Sequence, residues 1–505
     1  SSAASDVYKR QGMAMAHWEI QGWMILILGW VFVPFYTRSM VYTMPEFLER
    51  RYNPQSRTIL SVISLVSYVL TKVAVTVYAG GLVFQQVFGI KELWGIDFFW
   101  IAAIGLVVLT ALYTIFGGMK SVLYTSVLQT PILLLGSLII LVLGFKELGG
   151  WDEMMRVCGA VTVNDYGDTM TNLIRSNDDA NFPWLGALIG SAIIGFWYWC
   201  TDQFIVQRVL SGKNEMEARR GTIFGAYLKL LPVFLFLIPG MIAFALHQKY
   251  IGAGGEGFLP MLENGTANAD AAFPTLVAKL LPAGVKGLVV CGILAALMSS
   301  LASLFNSSAM LFTIDFYKRF RPQTSEKKLV GIGQVATVVI VILGILWIPI
   351  MRSVGDVLYT YLQDVQSVLA PGIAAAFLLG ICWKRTSAQG GMWGLISGMV
   401  IGLTRLGAKV YYSNAGEVAD STFKYLFYDM NWLFFCGWMF LFCIIVVIVV
   451  SLATEAPTAE KIQGLVFGTA TKEQKASTRA SWNHWDIIHT VIILAITGAF
   501  YWYFW

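Results

Sequence analysis

Charge is what this chain has least of. Only 13% of its 505 residues are Asp, Glu, Lys or Arg, against about 25% in a soluble domain. That deficit excludes an ordinary water-soluble globule, and 57% hydrophobic residues leave a protein whose surface meets lipid. Histidine is scarce (His17, His247, His484 and His489), and the six cysteines form no CxxC pair and no Cys/His cluster. No zinc or haem site is therefore expected, and no organic cofactor. Cys200, Cys291, Cys382, Cys436 and Cys443 lie in or beside apolar runs, and only Cys158 falls in a polar loop. No nucleophile–base pair or metal motif marks an enzyme. The net charge of +5 comes from clusters between apolar runs. It bears on topology, and no nucleic-acid partner is expected.

What the chain does have is apolar length. A helix needs about 20 apolar residues to cross about 30 Å of hydrocarbon. Runs of that kind predict about twelve spans, near 16–37, 57–88, 97–117, 120–145, 185–209, 219–247, 281–312, 329–351, 357–382, 388–412, 430–452 and 484–504. Two of them, 57–88 and 281–312, are longer than the bilayer is thick and should tilt or extend beyond it. The loops alternate in charge. One set holds Arg38, Arg50, Arg51 and Arg57, then Lys120, then Arg208, Lys213, Arg219 and Arg220. It continues with Lys318, Arg319, Arg321, Lys327 and Lys328, then Lys384 and Arg385, then Lys461, Lys472, Lys475 and Arg479. The other set is richer in acids, notably Asp165, Asp168, Asp178 and Asp179. The positive-inside rule places the first set in the cytoplasm and both ends of the chain outside. An all-α, polytopic, integral protein of the plasma (cytoplasmic) membrane is expected, its partner on all sides the lipid bilayer.

Loops 146–184 and 248–280 read as ordered outer lids, and the second carries a glycosylation sequon, Asn264-Gly-Thr266. The polar stretch 453–483 reads as a flexible cytoplasmic connector to a last transmembrane helix at 484–505. Residues 1–11 have neither a signal-peptide h-region nor helix periodicity. They resemble translated library-adapter sequence and are expected to be non-native.

Ionisable or polar groups inside a span mark sites by default, because burying them in lipid is costly. Lys229 sits mid-span in Gly225-Ala-Tyr-Leu-Lys-Leu-Leu-Pro232, too deep to snorkel, and is a substrate-binding candidate; the bland alternative is a lysine bonded to helix-end carbonyls. Lys72 is also mid-span but has no evident partner, so packing or snorkelling is expected. Ser299-Ser300 follow Leu294-Ala-Ala-Leu-Met298; such hydroxyls usually back-bond to the preceding turn. With backbone carbonyls of another helix they would complete a shell for dehydrated Na⁺. Gln363 lies ahead of Pro371-Gly372, where a helix interruption is expected of the kind that holds solutes in transporters. A buried Gln offers both donors and an acceptor to hydroxylated solutes. Tyr198 and Trp199, beside Asp202 and Gln203, give aromatic faces for stacking on a sugar ring; the alternative is an interfacial aromatic belt.

Six segments resemble the sodium/solute symporter family, in particular its sodium–glucose cotransporter branch. They are Tyr42-Thr-Met-Pro-Glu-Phe47, Leu112-Tyr-Thr-Ile-Phe-Gly-Gly118, Trp197 to Arg208, Tyr227-Leu-Lys-Leu230, Met298-Ser-Ser-Leu-Ala-Ser303 and Phe377 to Arg385, in the family's order. The resemblance implies a LeuT-type core of two inverted five-helix repeats within 12–382, with additional transmembrane helices over 383–452. By matching position it implies a sodium site at Ala296, Ser299 and Ser300, with Na⁺ as the coupling ion. It also implies sugar hydrogen bonds from Lys229 and Gln363, an inner gate at Tyr198 beside Trp199, and an outer gate at Tyr359. The family's first core helix has no counterpart, so the chain as given is expected not to transport unaided. The family's sugar-binding Glu aligns with Trp18; the nearest carboxylate is Glu19, about 100° further round a helix. Gly195 replaces a polar position one turn before Tyr198. Ser126 and Ala302 stand where the family has further oxygen ligands, so one Na⁺ per solute is expected. The expected function is sodium-driven import of a sugar or polyol, with inositol, proline or another organic solute as alternative cargo. A sensor using the same fold would be expected to carry a kinase-like soluble domain after Arg385, where this sequence continues as further apolar runs.

Overall fold

The computed structural model describes residues 12–261, 265, 267–354, 358–414 and 419–505. It describes their side chains except at 113, 115–123, 125, 126, 128, 350–354, 358–361, 413 and 414. Residues 1–11, the sequon at Asn264 and Thr266, and the side chains of Ser126 and Tyr359 lie outside the described parts.

The chain is helical almost throughout. Its main helices are α1 (Gly12–Ser39), α2 (Pro54–Phe88), α3 (Phe98–Leu148), α4 (Trp184–Thr201), α5 (Gln203–Leu210), α6 (Glu215–Gly252), α7 (Ala283–Phe320), α8 (Glu326–Val354), α9 (Leu358–Cys382), α10 (Ala388–Asn414), α11 (Trp432–Ala453) and α12 (His484–Tyr503). The strand pair Glu92–Leu93 and Ile96–Asp97 is a two-residue-per-strand hairpin. Ten helical segments among the described residues are long and apolar enough to cross a membrane.

Two expectations about spans change. The runs at 97–117 and 120–145 form one continuous helix of 51 residues, about 77 Å long at 1.5 Å per residue. Between them the sequence offers Gly117-Gly118 and one lysine. Glycine lowers helix propensity by only about 1 kcal/mol and leaves every N–H in place, so the helix is not terminated. The run at 388–412 is helical as α10 but falls outside those ten. The two runs read as over-long are over-long: α2 has 35 residues and α7 has 38.

Small residues set the closest approaches. A Cβ on Gly136 of α3 would lie 2.5 Å from Val289 of α7, and one on Gly398 of α10 would lie 2.6 Å from the Cα of Gly372 on α9. Bare backbone on both sides is what lets membrane helices pack without help from water. Pro371-Gly372, where an interruption was expected, does not break α9, which is helical from Leu358 to Cys382. The glycine serves contact with α10. The break lies elsewhere: Asp202 is extended (φ −79°, ψ 127°) between α4 and α5, and its carboxylate caps the N–H of Phe204.

The connector at 453–483, expected to be flexible, is pinned. Its helix Lys472–Ala480 begins on a capping box between Thr471 and Gln474. Lys461 donates to Glu49 O at 2.8 Å, Phe467 N–H to Ile381 O at 2.9 Å, and Ser481 to Glu215 at 3.1 Å. The 146–184 loop is ordered, as expected. Asn164 bridges Asp168 and Asp179 at 2.8 and 2.9 Å, and Met170 O accepts from Met13 N–H at 2.8 Å. Burial under this lid pushes the Cys158 thiol up to about 12, which leaves it un-ionised and unreactive.

Candidate functional site

The site is built where α4 and α5 meet α1, α2 and α6. Residues Phe196–Thr201 form a wide, π-type turn at the end of α4. Such turns carry one residue more than the α-helical repeat and recur at functional sites. Here the turn delivers Trp197, Tyr198 and Trp199 to different neighbours. Trp199 faces Lys229 of α6, whose Nζ stands 5.6 Å from the indole centroid. Lys229 donates to Glu19 of α1 at 2.9 Å, both side chains being largely buried. Three of the predicted site residues thus converge, and Tyr198 packs edge-on against Trp199 with centroids 5.1 Å apart. Trp18, aligned with the family's acid, turns away into an aromatic cluster, stacking on Trp432 at 5.4 Å and meeting Phe182 at 5.3 Å.

Gln21 was not among the predicted residues. Helix α1 is interrupted by a turn at Ile20–Gln21, and the Gln21 amide reaches α4, donating to Ser191 O at 2.9 Å. A Cβ on Gly195 would lie only 2.6 Å from Gln21 Oε1. The missing polar side chain at Gly195 is thereby replaced by an amide from another helix. The signal was present in the sequence as a glycine where a polar group was expected; the donor, 174 positions earlier, was not.

Lys72 was read as lacking a partner, and that reading is corrected. It forms a buried ion pair with Asp202, their side chains only 7% and 3% exposed. The other carboxylate oxygen accepts from Tyr68 Oη at 2.8 Å. Four rings surround the ammonium: Phe204 at 4.6 Å, Tyr68 at 4.8 Å, Tyr198 at 4.9 Å and Trp197 at 5.8 Å. Aromatic faces and a carboxylate together replace the water a buried ammonium loses. Tyr198 therefore stands between Trp199 with the Glu19–Lys229 pair and the Lys72–Asp202 pair.

Gln363 is buried on α9, and its Oε1 has no hydrogen-bond partner among the described residues. Helix α9 packs against the Phe196–Thr201 turn, which places Gln363 on a helix lining the same region. Next to it, Asp364 pairs with Lys409 of α10. Ala296 and Ser300 are half-buried and Ser299 is buried on α7. One turn on, Ser303 donates to Ser299 O at 3.0 Å. These three do not belong to the aromatic cluster; α5 connects them to it, through Gln207, which donates to Ser307 Oγ at 2.6 Å, and through Arg208.

On the side carrying the basic loops, Arg57 of α2 bonds Asp315 of α7 at 2.6 Å and Glu49 at 2.5 Å, and Thr43 donates to Asp315 at 3.0 Å. A cavity of about 970 Å³ opens beside this network, lined by Tyr42, Glu49, Arg57, Asn306, Thr313 and Gln334 among others.

The architecture is that of an α-helical secondary transporter. It superposes on an outward-open, substrate-bound Na⁺-coupled sialic acid symporter with a TM-score of 0.70 at 21% identity, over 90% of this chain and 86% of that one. That likeness shows the fold, the LeuT-type fold expected from the sequence. Residues 3–398 match the Sodium:solute symporter family, and the chain belongs to it. Among its relatives are the sodium/mannose cotransporter of Bos taurus, 36% identical over 95% of this chain and 83% of that protein. Sodium/myo-inositol cotransporter 2 of Homo sapiens is 36% identical over 91% of this chain and 69% of its own length. Sodium/glucose cotransporter 4 of Danio rerio is 35% identical over 93% and 73%. The chain is an integral, multi-pass membrane protein.

Proposed function

We propose that this protein is a sodium-coupled symporter that imports a sugar or polyol across the plasma membrane by alternating access, with one Na⁺ per solute. The observation that carries the reading is the Glu19–Lys229 pair against Trp199 and Tyr198. A neutral ion pair offers both charge-assisted donors and acceptors, and the rings offer apolar faces. A neutral polyhydroxylated solute needs both. Gln363 adds an amide whose carbonyl is unpartnered. The names of the relatives, cotransporters of mannose, glucose and myo-inositol, support the same solute class.

In this reading Ala296, Ser299 and Ser300 hold Na⁺, Tyr198 is the inner gate and Tyr359 part of the outer one. The Lys72–Asp202 pair latches Tyr198 from below. One ion suffices energetically. A charge moving through 100 mV releases about 2.3 kcal/mol, and a tenfold Na⁺ gradient adds about 1.4 kcal/mol. Together, about 3.7 kcal/mol sustains a solute gradient of a few hundredfold.

Myo-inositol is the second reading, because the relatives of comparable identity include inositol cotransporters. The test is uptake of labelled glucose, galactose, mannose and myo-inositol into proteoliposomes holding the purified protein. At least one solute should accumulate only with an inward Na⁺ gradient, and Lys229→Ala should raise its half-saturating concentration about tenfold or more. No Na⁺-dependent uptake of any of the four would refute the proposal.

A further inference from the structure

Among the charged side chains beneath Tyr198, one is left over. Lys72 and Asp202 neutralise each other. Arg208, six residues further along on α5, forms no ion pair among the described residues. Its guanidinium lies 5.1 Å from the Phe204 centroid and donates to the hydroxyl of Ser303 on α7. Its Nε is buried without a hydrogen-bond partner. A half-buried cation at the inner end of a span, with one buried nitrogen unpartnered, calls for a function.

Its position suggests which one. Ser303 in turn donates its hydroxyl to Ser299 O at 3.0 Å, so a continuous hydrogen-bond chain runs from the guanidinium to a backbone oxygen of the serine pair. One turn further along α7, Asn306 lines the cavity of about 970 Å³ that also reaches Arg57, Lys318 and Arg319. Those basic residues are in the set assigned to the cytoplasm. Arg208 of α5 thus meets α7 at Ser303, between the serine pair and the cavity open to the inner side. Three residues of helix rise about 4.5 Å, so an ion at Ser299 and Ser300 would lie within about two turns of the guanidinium.

We propose that Arg208 is a built-in competitor of the transported cation: it repels Na⁺ held at Ala296, Ser299 and Ser300 and drives its release into the inner cavity. The inference rests on the sodium site proposed above. Na⁺ and the Arg208 guanidinium, anchored on Ser303, oppose each other because their charges repel across a poorly solvated gap. A site weakened in this way discharges its ion to a cytoplasm low in Na⁺. Without the arginine it would bind more tightly and turn over more slowly.

The experiment is equilibrium ²²Na⁺ binding to the purified protein, with Na⁺-driven uptake measured alongside. Arg208→Gln should tighten Na⁺ binding about fivefold or more, as expected for removing a unit charge one to two turns away at an effective dielectric near 20, and should lower maximal uptake. Arg208→Lys should restore both most of the way. Ser303→Ala, which removes the anchoring oxygen without touching the charge, should also tighten binding and stands in if the glutamine variant does not fold. Unchanged or weaker binding in folded Arg208→Gln or Ser303→Ala, while Ser300→Ala loses binding, overturns this inference alone. If Ser300→Ala binds Na⁺ normally, the sodium-site reading itself fails.

Discussion

Lys72 and Asp202 form a buried ion pair, their side chains 7% and 3% exposed. Both are buried and both are charged; among the described residues each is the other's one opposite charge, with ring faces around Lys72 and with Tyr68 and the Phe204 N–H bonded to Asp202. Removing one partner of such a pair strands the other charge and costs about 3–5 kcal/mol, whereas replacing both with apolar residues of similar volume is often neutral. Lys72→Met should therefore unfold at markedly lower temperature in a detergent melt, and Lys72→Met with Asp202→Leu should recover most of the loss. If the double variant is as unstable as the single one, the pair does not carry the stability assigned to it. The sequence named Lys72 and Asp202 separately but could not join them. Ion pairs between residues 130 positions apart leave no periodic trace. The same holds for Gln21 over Gly195. By contrast Lys229, Trp199 and Tyr198 were legible, since a lysine in mid-span and an aromatic run beside an acid are local anomalies.

Among elements, the crossing of α9 and α10 shows why a motif can be noticed and misread. Pro371-Gly372 has the composition of a break, yet proline in a membrane helix is tolerated where neighbouring groups take up the freed carbonyl. Gly372 instead meets Gly398 backbone to backbone. Gly398→Leu should force the two helices apart and cost about 1–3 kcal/mol or more, read as a fall in melting temperature. The same substitution at Gly407, which has open space, should be nearly silent. Equal effects at the two positions would contradict the close-packing account. The real interruption, at Asp202, was visible only as an Asp after an aromatic run. An N-cap preference is also a turn preference, so one residue type fits several local structures. The junction of α3 was likewise undecided by sequence: Gly117-Gly118 permits a loop and does not compel one.

For the whole molecule, composition and loop charge were enough to establish the membrane class, because a chain with so few charges cannot build a soluble surface. The long-range assembly was not recoverable from composition. Helices α1, α4, α6 and α9 supply the proposed solute site and α7 the proposed sodium site, while α5 follows directly on α4 and reaches α7 through Arg208 and Gln207. On the proposed reading, the element that links ion site to solute site is α5, whose N-cap Asp202 is held by Lys72. The molecule's central claim is that the driving ion sits on the α7 serine pair. The measurement that tests it most directly compares solute uptake driven by an inward Na⁺ gradient in the wild type and in Ser300→Ala. Ser300→Ala should lose Na⁺ stimulation while keeping its fold and its equilibrium binding of solute at high concentration. Full retention of sodium-stimulated uptake by Ser300→Ala would contradict the account.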